Sequence, residues 1–299
     1  MRNINRHRRP LVRPTAALLV ALLLLPLAVS RTATAAVVFD TKAEDVIAKH
    51  LESLGAAAAG ADARSRVVVG TSHAVFRGAS GDGVANGGVV LASASNKSLL
   101  AMKFDIPNYS GEKLGFDGKK FTVGYNTPGK RSTLGSFLLI HGEIFKEGLV
   151  GGTLSSAWPL LNLAERGAKV EFDGTEKIAG VSVYCLRYKP RNSSDLSIKL
   201  YFDTKTFQHV RTQYDRVVAA PIAAGGIDAQ AGRRETRYKL VEDFSDYKLE
   251  GKLNLPHAYT LHLEIQSTSN SVKNKWEMTF NQFAFNQEID ENDFNVEGK

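Results

Sequence analysis

The chain has 299 residues, with 38 Lys and Arg against 31 Asp and Glu, a formal charge of +7, and one Cys. Six of the arginines fall in the first 35 residues, which hold no acid, so the charge drops to +1 once that stretch is set aside. No basic field then remains to attract nucleic acid, and the lone Cys185 excludes an internal disulfide.

Arg2, Arg6, Arg8, Arg9 and Arg13 precede the apolar run Ala16–Val29, and Ala33-Thr34-Ala35 supplies small residues at a cleavage position. This pattern predicts a secretory signal peptide over residues 1–35, cut near Ala35. Pro10 follows Arg8-Arg9 without a twin-arginine consensus, so general secretion is expected. No later stretch is apolar enough to span a bilayer, and a soluble, exported chain of about 264 residues is expected, enough for one domain over 36–299.

Thr41-Lys-Ala-Glu44 reads as a capping box, and Ala43, Val46, Ile47, His50, Leu51 and Leu54 recur at helical spacing up to Gly55. His50 on that face reads as a packed core residue, and the Ala-rich 56–64 as a short second helix. From Arg66 the chain turns strand-like: RVVVGTSHAVF, GVVLASAS, SLLAMKFD, then EKLGF and KKFTVGY around Asp117-Gly118, a type I′ hairpin pair. Leu134–Glu147 interrupts with Phe137, Ile140, His141, Ile144 and Phe145 on one helical face, ended by Gly148, Gly151 and Gly152. Strands resume at AKVEF. In one of them Leu196, Ile198, Leu200 and Phe202 face one way, and in another Leu261, Leu263 and Ile265 do. Such alternation means antiparallel sheet with one wet face. Roughly ten flat strands would leave an uncovered apolar face, so the sheet must curl, with the helical segments as covers. Residues 217–233, rich in Ala and Gly, read as a flexible insertion loop.

Catalytic motifs are sparse. Gly78–Gly88 lacks the Lys-Ser/Thr of a phosphate loop, and His257 and His262, five apart on a strand, fall on opposite faces. Ser110-x-x-Lys113 and Ser245-x-x-Lys248 lack companion motifs; Glu242, Asp243 and Asp246 read as a charged solvent face. Cys185, inside VSVYCL, reads as a buried small hydrophobe. Asp203 in FDTKTF (202–207) has the look of a phosphoryl-accepting nucleophile, but a polar strand follows instead of a helix, so it reads as a turn-forming Asp helped by Thr206. The expectation is a protein without catalysis, metal or cofactor.

AEDVIAKHLESLG, the turn FDTKTFQHVR, EDFSDYKLEGKLNLPHAYTL and the closing FNQFAFNQEIDENDFNV together resemble the LolA/LolB-like superfamily of periplasmic lipoprotein-sorting proteins. The resemblance implies an α+β fold: a strongly curved antiparallel β half-barrel with helices covering a concave apolar face. It implies a carrier or binder of a lipid or lipidated protein, or an interaction or sensor module of the envelope with its own protein partner. Candidate lining residues are Phe104, Phe121, Phe137, Ile140, Ile144, Trp158, Val183, Leu200, Trp276 and Phe280. The family's lid-holding arginine has Arg66 and Arg77 as candidates by position.

Overall fold

The computed structural model describes residues 41–59, 64–78, 82–107, 109–192, 194–218, 235–267 and 271–297, all within one compact unit. The expected signal peptide and most of the 217–233 loop lie outside the described residues.

Two helices open the described chain, α1 (Thr41–Leu54) and α2 (Ala56–Ala59). Between them Gly55 takes φ +76° and lies so close to the Lys252 carbonyl that any Cβ would collide with it. Five strands follow: β1 (Ser65–Arg77), β2 (Gly83–Ala94), β3 (Lys97–Phe104), β4 (Gly111–Phe116) and β5 (Phe121–Val123). A segment with α3 (Thr133–Ile140), α4 (Glu143–Lys146) and α5 (Leu163–Arg166) then leads to seven more strands. These are β6 (Lys169–Ile178), β7 (Val181–Lys189), β8 (Ser197–Asp203), β9 (His209–Val218), β10 (Thr236–Glu250), β11 (Leu253–Gln266) and β12 (Ser271–Phe285).

All twelve strands join one antiparallel sheet in the order β5-β4-β3-β2-β1-β12-β11-β10-β9-β8-β7-β6. The sheet is open, and its two edges, β5 and β6, are consecutive in the chain. The connection 124–168 therefore runs from one edge to the other. The sheet is also rolled. β5 and β7 stand ten steps apart in the order, which at ~4.8 Å per step would be roughly 48 Å if flat. Yet Phe145 of α4 stacks on Phe121 of β5 at 4.6 Å, and Glu147, two residues on, accepts from Tyr188 of β7 at 2.6 Å.

The hairpins form where the sequence predicts them. The turn at Asp117-Gly118 is not the expected type I′, however: only Gly118 of the two has positive φ (+92°), and Phe116 pairs with Phe121 across a four-residue loop in which Asp117 Oδ1 accepts from the Lys119 and Lys120 amides. Asp203 Oδ1 accepts from the amides of Lys205 and Thr206 at 2.7 and 2.8 Å, with Phe207 at φ +56° closing the turn onto β9. Asp203 is thus a turn residue.

Three further expectations change. The segment Leu134–Glu147 is two short helices, broken at His141-Gly142, so the apolar face shifts in phase; Phe137, Ile144 and Phe145 are buried, but Ile140 is 69% exposed. Val217 and Val218 belong to β9 and pair with Arg237 and Thr236 rather than opening the loop. Glu242, expected in solvent, is fully buried, because Leu240 and Phe244 on either side of it in β10 fix its face towards the core.

Candidate ligand-binding site

One contiguous apolar cluster occupies the inner face of the sheet, drawing residues from β1 to β12 together with Leu134, Phe137, Phe145, Leu154 and Trp158 of the connection. Phe104, Phe121, Phe137, Ile144, Trp158, Leu200, Trp276 and Phe280 all belong to it. Val183 does not. It sits with Cys185 and Tyr201 in a small separate cluster, because along β7 it alternates with the inward-facing Leu186 and Tyr188. Burial there pushes the Cys185 thiol up to about 11, so it stays protonated and inert.

Glycines let the connection turn tightly inside this core. Gly148, Gly151 and Gly152 all have positive φ, and Gly152 packs so closely on His209 that a Cβ would lie 2.8 Å from Nδ1. Polar side chains then hold the connection in place. Glu242 Oε2 accepts from the Gly151 amide and from Tyr259 Oη, both at 2.8 Å, and Oε1 accepts from Tyr214 Oη at 2.6 Å. Near the start of the connection Glu112 accepts from Ser132 Oγ and Tyr109 Oη, both at 2.7 Å; Ser132 in turn caps α3 through the Gly135 amide. Neither carboxylate has a cation against it among the described residues, and burial pushes both up to about 7.

Two histidines complete the inner layer. His50 Nδ1 donates to the Phe207 carbonyl at 3.0 Å, so its Nε2 lone pair is free to accept from Trp158 Nε1 at 3.2 Å. His209 stacks on Trp158 at 4.6 Å and donates from Nε2 to the Arg211 carbonyl. Burial lowers His50 to about 4 and His209 well below its ordinary value. Both are therefore neutral packing residues at physiological pH, as expected for His50 from its helical face.

Arg66 of β1 is the buried cation of the site, only 2% exposed. Its Nη1 donates to the carbonyls of Thr153 and Ser155 at 2.6 and 3.3 Å, and its Nε has no partner among the described residues. Of the two arginines marked by the resemblance, Arg66 is thus the one joined to the connection; Arg77 is exposed. Beside Arg66 opens a cleft of about 660 Å³, walled by Ala48, Leu51, Ala56 and Ala57 of the opening helices, by Leu161 and Leu253, and by Glu52, Arg64, Ser95 and Ser156. That volume is in the range of small-molecule sites. None of the ten residues expected to line a cavity borders it. Only Leu51 had a local signal, its place on the apolar stripe of α1.

A second polar cluster lies at the far end of α3. His141, Glu143 and Asp195 hold their ligating atoms within 4.8 Å of one another. Arg216, however, donates to His141 Nε2 at 3.0 Å and pairs with Asp195 at 2.6 Å. That places the imidazole proton on Nδ1, facing Glu143 and Asp195 at 3.5 and 3.8 Å. A metal on Nδ1 would require a proton on Nε2, directed at the Arg216 donor. The arrangement suits a clip between α3, the loop before β8, and β9 better than a metal centre.

No helix among the described residues is long and apolar enough to cross a membrane. No family model matches the chain, and no curated protein matches it in sequence. Among solved structures it is similar to an outer membrane lipoprotein-sorting protein domain from Vibrio parahaemolyticus, at 13% identity and TM-score 0.44, over 85% of this chain and 98% of that one. It is also similar to a LolA superfamily protein from Nitrosomonas europaea, at 11% identity and TM-score 0.42, over 84% and 96%. A DUF1329 family protein from Desulfovibrio piger is similar at 8% identity and TM-score 0.43, over 85% and 98%. The chain thus shares a likeness with LolA superfamily and lipoprotein-sorting structures, too distant in identity and TM-score to carry a function across.

Proposed function

We propose that the chain is an exported, periplasmic carrier or binder of a lipid or a lipidated protein, working without catalysis. The observation that supports this best is the apolar-walled cleft beside Arg66, a buried cation with an unpartnered Nε. In this reading an acyl chain enters between α1 and Leu161, and the connection with its helices acts as the cover of the concave face. Burial of the chain would contribute about 0.8 kcal/mol per methylene. An anionic or carbonyl-bearing head would accept from the free Arg66 Nε, in competition with the Thr153 and Ser155 carbonyls. Binding and release of the cover would thereby be linked. The export part of the reading rests on the leader-like first 35 residues, and the periplasmic part on that leader together with the resemblance to periplasmic lipoprotein-sorting proteins.

The test is native mass spectrometry of the mature chain taken from its own periplasm, followed by titration with a fluorescent fatty acid. A co-purifying phospholipid or acylated peptide is expected, as is probe uptake that falls at least tenfold in Leu51→Trp, which fills the cleft. A lipid-free protein that takes up no probe would refute it. The filled core favours a second reading in that event, since Trp158, Phe145 and Phe202 leave no exposed surface at all. The same fold would then serve as an interaction or sensor module of the envelope.

A further inference from the structure

The outer face of β2 to β5, opposite the core, already holds one acidic, aromatic segment: the end of the chain itself. Phe294 and Val296 are 1% and 3% exposed yet lie outside the core cluster. They sit over Gly115, where a Cβ would collide with the Phe294 carbonyl, and the Val296 amide donates to Thr122 Oγ1 at 3.0 Å. Gly115 alternates with the inward-facing Leu114 and Phe116, which places the segment on the outer side. Flanking acids pair with lysines of that side, Glu291 with Lys97 and Glu297 with Lys120. The device is a glycine floor, an aromatic residue above it, and lysines that take the acids.

Two to four residues along the same strands a similar arrangement recurs without an occupant among the described residues. The strand register places Val69, Val90, Ala101 and Lys113 in one outer row across β1 to β4. Gly88, Lys103 and Gly111 form the next row. With no side chain at Gly88, a groove of about 510 Å³ opens there, bordered by Gly111 and with Val69, Val90 and Ala101 in its floor. Lys103 and Lys113 are exposed and make no ion pair among the described residues, unlike Lys97 and Lys120. Tyr125, 43% exposed, stands at the groove with the Arg131 guanidinium 4.6 Å from its ring.

We propose that this outer groove is a docking site for an acidic, aromatic-bearing peptide segment of a partner protein, seated as Glu291–Val296 is seated two to four residues away along the strands. The charge of the unpaired lysines selects for acids, and a floor of small apolar side chains, open at Gly88, admits a ring, the residue type that most often anchors an interface. The site is on the opposite face from the cleft, so it is independent of the carrier reading.

The test uses the mature full chain and a fluorescein-labelled peptide with the sequence of residues 288–297, followed by fluorescence anisotropy at low salt. Saturable binding is expected, weakened at least tenfold in Lys103→Glu/Lys113→Glu and when the peptide's Phe is replaced by Ala. Gly88→Leu should block it equally, and it should fold, since the nearest atom to a Cβ there is the Gly70 carbonyl oxygen at 3.9 Å. Lys97→Glu/Lys120→Glu should leave binding intact. The proposal is overturned if wild type does not bind, or if only the Lys97/Lys120 pair matters, which would mean the peptide displaces the chain's own end. It is also overturned if phosphatidylglycerol vesicles, and not the peptide, bind through Lys103 and Lys113. Self-association abolished by the same lysine pair would assign the groove to a second copy instead.

Discussion

Replacing Glu242 by Gln tests whether the buried carboxylate under the connection costs the fold stability at neutral pH. Burial lifts its pKa from 4.5 to about 7 in spite of three hydrogen-bond donors. The folded state therefore binds this proton more tightly than the unfolded chain does. Between pH 4.5 and 7 its contribution falls as pH rises, and at ~1.4 kcal/mol per unit of pKa the total loss is about 3 kcal/mol. Gln resembles the protonated form: its oxygen keeps the bonds from Gly151 and Tyr259, and its amide turns to the Tyr214 oxygen. In urea unfolding from pH 4.5 to 8, the variant should gain on wild type by about 3 kcal/mol across the range, and level off above pH 7. Wild type alone would not reveal the effect. His50, lowered from 6.5 to about 4, has the opposite slope, since its neutral state in the fold loses stability as pH falls through that interval. His209 acts in the same direction as His50, and Glu112, also about 7, in that of Glu242. A difference between variant and wild type that stays within ~0.5 kcal/mol at every pH would refute the reasoning.

Gly151→Ala should cost about 3 kcal/mol in the same unfolding assay, because φ is +75° and the new methyl would collide with Leu91 Cδ1 in the core; a neutral result would show that the connection relaxes at that turn. Asp203→Ala should cost about 1 kcal/mol by freeing the Lys205 and Thr206 amides, with fatty-acid probe uptake unchanged. Loss of uptake without loss of stability would give that residue a role beyond the turn.

The features legible in the sequence are those set by neighbours. Asp203 and Asp117 each bond amides two and three residues on, so their turns are written locally. Alternation in β8 and β11 places Ile198, Leu200 and Phe202, and Leu261 and Leu263, in the core for the same reason. Glu242 was hidden because its partners are distant, Gly151 lying 91 residues away and Tyr214 and Tyr259 on flanking strands. A signal did exist, since Leu240 and Phe244 put it on the apolar face, but Asp243 next to it made the strand look wet. Ile140 failed for another reason. One helical period was run through His141-Gly142, where the helix breaks. The cleft beside Arg66 was beyond reach, because it joins α1, β1, the connection and β11, whose order in the sheet no spacing reveals.

The connection 124–168 is where stability and any carrier function would meet. Its apolar side chains, Phe145 and Trp158 above all, contribute by burial, a term that does not care what covers them. Its polar anchors behave differently. Ser132 on Glu112, Gly151 on Glu242, and the Thr153 and Ser155 carbonyls on Arg66 each involve a buried ionisable group whose desolvation offsets much of the bond it makes. Such contacts fix where the connection sits while adding little net free energy. An entering acyl chain would replace the apolar contacts in kind, methylene for methylene. Displacement would then be opposed mainly by the anchors, because a buried carboxylate or guanidinium that loses its partner keeps its desolvation cost. A segment held by burial alone would slide; one held by strong ion pairs would not open. If the connection acts as a cover, its buried carboxylates and carbonyl-bound arginine would fix one resting position, and leaving it would require each buried group to reach water or another partner.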